Sequence, residues 1–239
     1  MKRIFYFLMM AVTAFTLGAC SDDESDGLTD VIYYPHITLN GEQFTLSPIG
    51  EAYNDAGCTA TLNGQDYTAN VKVSGIENID INTAGLYTVV YTATSPDGYT
   101  MSAERTVAVC DPAIETDISG TYTTQPGTYR QTYNADGSPK AQVAFAGFTS
   151  TFRYAAPGIF YCTDMLAGYY DQRAGYGKNY ALYGYVQLLA DGTLKALSGH
   201  VNGWGDSYDD FSDAKYNAET GTISYTITYA GMDFFVILN

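Results

Sequence analysis

From about residue 32 onward, apolar and polar positions alternate in short runs with a period of two, and no stretch sustains a 3.6-residue period. Ile37 and Leu39 open the first run, and Phe44 and Leu46 continue it beyond an Asn40-Gly41 turn. Thr59-Ala60-Thr61-Leu62 meets Asn63-Gly64 before Gln65-Asp66-Tyr67-Thr68, which predicts a hairpin because Asn and Gly accept the positive φ of a two-residue turn. Val71 and Val73 alternate ahead of Gly75, and Leu86 to Ala93 is the clearest strand. Ser95-Pro96-Asp97-Gly98 is a turn, with Pro presetting φ, and Thr106 to Val109 closes the set. Pro112 marks a boundary, since it has no N–H to continue a ladder. Beyond it, strands are predicted over Gly120–Thr124, Val143–Tyr154 (broken at Gly147), Ile159–Thr163, Leu182–Leu189, Thr193–Leu197, Ile223–Tyr229 and Phe234–Leu238. The pattern is all-β: a β-sandwich over residues 32–111, then a second antiparallel β-sandwich or partly closed barrel over residues 112–239.

Residues 1–19 follow a different rule. Lys2 and Arg3 precede an apolar run from Ile4 to Leu17, interrupted only by Thr13 and Thr16 and followed by Gly18-Ala19. The run is shorter than the roughly 20 apolar residues of a spanning helix and reads as a secretory signal peptide. Leu17-Gly18-Ala19-Cys20 resembles the lipobox of bacterial lipoproteins. That resemblance implies cleavage before Cys20, acylation of Cys20 and a lipid anchor in the outer membrane. Ser21-Asp22-Asp23-Glu24 is similar to the export tract of Bacteroides-group lipoproteins, which implies display on the cell exterior. Residues 20–31 also read simply as an acidic, solvated tether.

Charge narrows the partners. Without Lys2 and Arg3, the 11 basic residues become 9 against 26 acidic ones, a net −17 in place of −15. Nucleic acid, which needs clustered Lys and Arg, is not an expected partner. A 46% hydrophobic share with only 15% charged residues describes a folded chain, and 23 Tyr fit β-structure. Cys58 and Cys110 bracket the first unit, so an oxidising envelope allows either a disulfide between them or two free thiols. Cys162, in an apolar run, is expected as a buried free thiol. His36 and His200 are the only histidines and no CxxC pair occurs, so neither a metal site nor a cofactor is expected.

Tyr53-Asn54-Asp55-Ala56-Gly57-Cys58-Thr59-Ala60, Ala84-Gly85-Leu86-Tyr87-Thr88-Val89-Val90-Tyr91 and the Asp97-Gly98 turn resemble a bacterial Ig-like domain, with Ala56 and Cys58 where that family often has Pro and Ala. The resemblance implies a spacer, and Tyr87 at the head of its strand suits a tyrosine corner. Ile118-Ser119-Gly120-Thr121-Tyr122, Gly168-Tyr169-Tyr170 and Ala190-Asp191-Gly192-Thr193-Leu194 resemble the C-terminal domains of small Bacteroides-group lipoproteins, which implies a link to polysaccharide utilisation.

Two stretches break the alternation: the Gly/Tyr-rich segment from Asp164 to Tyr180, and Asn202 to Asp213. Long loops on a β scaffold are the usual seat of binding. Aromatic faces beside carboxylates suit a sugar, whose CH groups stack while its hydroxyls pair with acids and amides. Trp204 between Gly203 and Gly205 is the expected platform, with Tyr169, Tyr170, Tyr176, Tyr180, Asp171, Asp206 and Tyr208 as further candidate contacts. The competing reading packs Tyr169, Tyr170 and Trp204 inward as a loop core. Asp206, Asp209, Asp210 and Asp213 do not have EF-hand spacing. No GxSxG, HExxH or phosphate-binding loop is present. The expectation is therefore a non-catalytic glycan-binding or accessory lipoprotein for polysaccharide uptake. The alternative is a structural lipoprotein binding another envelope protein, and a glycoside hydrolase built on Asp164, Asp171 and the other loop carboxylates comes third.

Overall fold

The computed structural model describes residues 31–239; the signal segment, Cys20 and Ser21, Asp22, Asp23 and Glu24 lie outside them. Among the described residues no helix is long and apolar enough to cross a membrane.

The first unit contains β1 (His36–Leu39), β2 (Phe44–Pro48), β3 (Cys58–Leu62), β4 (Gln65–Asp66), β5 (Lys72–Ser74), β6 (Gly85–Thr94) and β7 (Thr100–Cys110). One sheet has the order β1-β3-β4 and the other β2-β7-β6-β5. Asn63 and Gly64, at φ 50° and 71°, make the expected β3–β4 hairpin. The Asn40-Gly41 turn departs from the simple reading. Rather than continuing one sheet, it carries the chain across the sandwich. There β2 lies parallel to β7, from Phe44 opposite Thr106 to Pro48 opposite Cys110. Val89, Tyr91 and Val107 are fully buried between the sheets, with Ile37, Leu39 and Cys58 packed on them. Tyr87 donates its hydroxyl to the Thr83 carbonyl at 3.0 Å, the hydrogen bond of a tyrosine corner.

The disulfide reading is corrected. Cys58 and Cys110 are both free thiols. Cys58, opposite Leu39, faces the core of the first unit, whereas Cys110 at the end of β7 packs beside Ala156 and Ile159 of the second. The two sulfurs belong to different apolar clusters, so no bridge spans them. Cys162 is also free and fully buried, as expected.

The second unit contains β8 (Gly120–Thr123), β9 (Tyr129–Tyr133), β10 (Pro139–Ala144), β11 (Thr149–Ala156), β12 (Ile159–Cys162), β13 (Gly184–Leu188), β14 (Leu194–Ala196), β15 (Asp210–Asn217), β16 (Thr222–Tyr229) and β17 (Met232–Leu238). They form two five-stranded antiparallel sheets, β14-β13-β12-β11-β8 and β10-β9-β17-β16-β15. The two sheets touch through isolated pairings, Thr193 with Lys215 and Thr124 with Leu238, and no continuous ladder closes them, so the unit is a sandwich and not a closed barrel. Alternate residues of β16 (Ile223, Tyr225, Ile227, Tyr229) and β17 (Phe234, Val236, Leu238) face Phe152, Phe160, Val186 and Leu188 across the core. Each such side chain contributes about 1.5–3 kcal/mol. The predicted strand over residues 143–154 is two strands in opposite sheets. Gly147, at φ 83°, turns the chain between them while Phe145 stays buried.

A smaller apolar layer joins the units, with Ala108 and Cys110 of β7 packed against Ala156 and Ile159, flanked by Leu86, Tyr185 and Leu197.

Candidate functional site

The long loop after β12 is built from a buried carboxylate. Asp164 is 2% exposed and accepts the backbone N–H groups of Leu166 (2.9 Å), Gly168 (2.8 Å) and Leu182 (3.0 Å), tying both ends of the loop together. Burial pushes its pKa up to about 7 against the lowering effect of those three bonds. Gly168 then turns the chain at φ 81°; a Cβ there would lie 2.7 Å from that of Phe148. A single π-helical turn, Tyr169–Arg173, follows. The Gln172 side chain docks it onto β11, accepting the Thr149 N–H at 2.9 Å and donating to the Thr149 carbonyl at 2.6 Å.

This turn sorts the two adjacent tyrosines. Tyr169 points inward at 4% exposure, its ring edge-on to Phe145 (5.0 Å) and Phe234 (5.2 Å) with the guanidinium groups of Arg130 and Arg173 each 5.0 Å from its centre. It is a core residue, which removes it from the candidate contacts. Tyr208 is removed for the same reason: it packs on the core, and its ring lies against Gly199, where a Cβ would come within 2.6 Å.

The remaining aromatics converge. Asn179 accepts the Gly203 N–H at 2.7 Å through its carbonyl, which joins the two loops. Trp204 sits 4.8 Å from Tyr180, 4.9 Å from Tyr170 and 6.1 Å from Tyr176, centroid to centroid. Trp204 is 43% exposed and Tyr176 56%, while Tyr170 and Tyr180 stand half-buried behind them. Gly203 makes room for Tyr180, whose ring would lie 2.5 Å from a Cβ there. Asp206 accepts the Tyr229 hydroxyl at 2.7 Å below Trp204; burial, and then this bond, raise the Tyr229 pKa strongly.

Asp171 faces away from the patch, into a groove of about 500 Å³ over the outer face of the β11–β12–β13 sheet. The groove was missed from the sequence. Thr149, Thr151 and Arg153 of β11 point into it, as do Tyr161 and, from the loops, Asn179 and Asn202. The same period-two rule that marks Phe152 as inward marks its neighbours as outward, so this face was readable, but nothing local brings Asn179 and Asn202 to it. Tyr183 on its floor donates to Asn202 Oδ1 at 2.7 Å, linking the groove to the Trp204 loop. Among the described residues no three His, Cys, Asp or Glu side chains converge as a metal site.

Residues 111–239 match the model of a C-terminal-domain family, and residues 37–109 match that of the bacterial surface protein Ig-like domain. The lipoprotein BT2262 from Bacteroides thetaiotaomicron is 35% identical to this chain over 86% of it and 100% of its own length, with a TM-score of 0.48. The chain belongs to that lipoprotein's family. Two fragments of Clostridium perfringens ZmpB also match. One holds the M60 catalytic domain with CBM51-1 and CBM51-2, at 22% identity over 54% of this chain and 14% of its own, TM-score 0.28. The other holds CBM51-2 in complex with GlcNAc and INT domains, at 23% identity over 54% and 29%, TM-score 0.27. Scores of that size carry no ligand across to this chain. No curated protein matches it.

Proposed function

We propose that the second unit is a non-catalytic glycan-binding head, displayed at the bacterial cell surface on the Ig-like unit and anchored in the outer membrane through Cys20. The observation that carries the reading is the exposed pair Trp204 and Tyr176, braced by Tyr170 and Tyr180 and standing beside a groove of hydroxyl and amide groups. Braced rings lose little freedom on meeting a sugar, and their faces suit its CH groups. Two further facts support display: the family match to a bacterial surface Ig-like domain and the membership in a lipoprotein family. The carboxylate with the raised pKa, Asp164, is 2% exposed and held by three backbone donors, an arrangement suited to structure and not to proton transfer.

Affinity gel electrophoresis of soluble residues 28–239 against plant, host and microbial polysaccharides tests the proposal. At least one polysaccharide retards the protein, and Trp204→Ala or Tyr176→Ala weakens that binding roughly tenfold, about 1.4 kcal/mol, in a protein that still melts cooperatively. Retardation that survives both substitutions refutes the assignment of this patch.

A further inference from the structure

The groove beside the aromatic patch has an unusual charge for this protein. Nine basic residues face 26 acidic ones once Lys2 and Arg3 are set aside, yet two of the nine, Arg153 and Lys178, line this one groove. Both are exposed. Neither has a carboxylate within ion-pair distance: among the described residues the only such pair is Arg105 with Asp55, in the other unit. Most basic residues of this chain have no ion-pair partner, so what marks these two is their place: both line one concave surface.

The surroundings define what would sit between them and the patch. Arg153 on β11 stands opposite Tyr161 on β12, which stands opposite Tyr185 on β13, so the cation opens a row of aromatic rings across the sheet. Lys178 begins the short 3-10 turn Lys178–Tyr180 that places Tyr180 against Trp204. The groove therefore lies beside the stacking surface, next to it through Asn179 and Asn202, and carries two cations among hydroxyl and amide groups. Two acids also line it. Asp164 is taken up by its three backbone donors, which leaves Asp171 as the one accessible carboxylate, suited to sugar hydroxyls.

We infer that this groove is a binding site for an acidic saccharide, a uronate or a sulfated sugar, whose anion is met by Arg153 and Lys178. The inference rests on the glycan reading above and adds the charge of the ligand. Arg153 supplies the planar fork that pairs two oxygens of a carboxylate or sulfate, and Lys178 a compact point charge. At 0.15 M salt the Debye length is about 8 Å, so the net negative charge of the rest of the molecule is largely screened from an anion seated in the groove.

The test uses two pairs of polymers that share a backbone and differ in charge: polygalacturonate with its methyl ester, and dextran sulfate with dextran. Affinity electrophoresis and isothermal titration of residues 28–239 at 0.15 M salt give the affinity for each. A roughly tenfold or greater preference for the charged member of at least one pair is expected. That preference collapses in Arg153→Gln/Lys178→Gln and is partly kept in Arg153→Lys. Melting temperature and Trp204 fluorescence check that the double variant is folded, which two exposed positions allow. The uronate pair and the sulfate pair distinguish the two anions. Equal affinity within both pairs, or a preference that survives the double substitution, overturns the inference. Binding of neutral polymers alone leaves the glycan reading standing and removes only this one, whereas no binding to any polymer removes both.

Discussion

At the scale of single residues, Arg105 shows how one buried charge organises the first unit. It is 1% exposed, and its donors reach the carbonyls of Glu42 (3.0 Å), Asn40 (2.5 Å) and Gly57 (3.2 Å), the Tyr91 hydroxyl (2.8 Å) and the Asp55 carboxylate. Two of these five acceptors, Asn40 and Glu42, flank the crossing from β1 to β2, so the guanidinium holds the place where the chain changes sheet. Asp55 neutralises it and also accepts the hydroxyls of Tyr53 and Tyr91. Asp55→Ala would leave a buried cation uncompensated, and chemical denaturation should show a loss of about 3–5 kcal/mol. The pair also makes the unit acid-sensitive. Burial raises the Asp55 pKa, but hydrogen bonds from Tyr91, Tyr53, the Gly57 N–H and Arg105 outweigh it and hold the carboxyl below its usual 3.8. A folded-state pKa below the unfolded one gives stability that is complete above about pH 4 and is lost as the pH falls further. Thermal melts between pH 6 and pH 2.5 should show this decline in the native chain and a shallower one in Asp55→Asn.

At the scale of elements, the loop from Asp164 to Leu182 behaves as one clamped piece. Replacing Asp164 by Asn puts an amide NH₂ or a shared oxygen where three N–H groups now meet two carboxylate oxygens. One donor is left unpaired, at a cost of roughly 1–3 kcal/mol. Hydrogen exchange should show the amides of residues 166–182 losing protection ahead of the sandwich core. The sign of the pH effect is opposite to that of Asp55. The folded state keeps the Asp164 proton up to about pH 7 and the unfolded state releases it near 3.8, so this group costs stability as the pH rises through that window. Legibility in the sequence followed the same local logic. β6, β16 and β17 were readable because their inward positions are apolar and regular. β9, Tyr-Arg-Gln-Thr-Tyr, and β15, which begins at Asp210 inside the expected second loop, were not, because polar edge and near-edge strands carry little alternation. Trp204, Tyr176, Tyr170 and Tyr180 were readable as a Gly/Tyr-rich pair of loops. That Tyr169 turns inward and Tyr170 outward depends on Gly168 and a π turn, which no residue pattern announces.

At the scale of the whole molecule, the two sandwiches share an apolar layer, in which Ala108 and Cys110 end β7 directly against Ala156 and Ile159. The shared layer therefore fixes the attitude of the second unit against the first. The parallel pairing of β2 with β7 adds a mechanical property. A pull between residues 36 and 110 runs along both strands. It loads the bonds between Phe44–Pro48 and Thr106–Cys110 together, as a lap joint is loaded, instead of opening them one by one. Single-molecule stretching between those two points should meet a higher rupture force than stretching across the antiparallel β6–β7 hairpin from its open end, Gly85 and Val109.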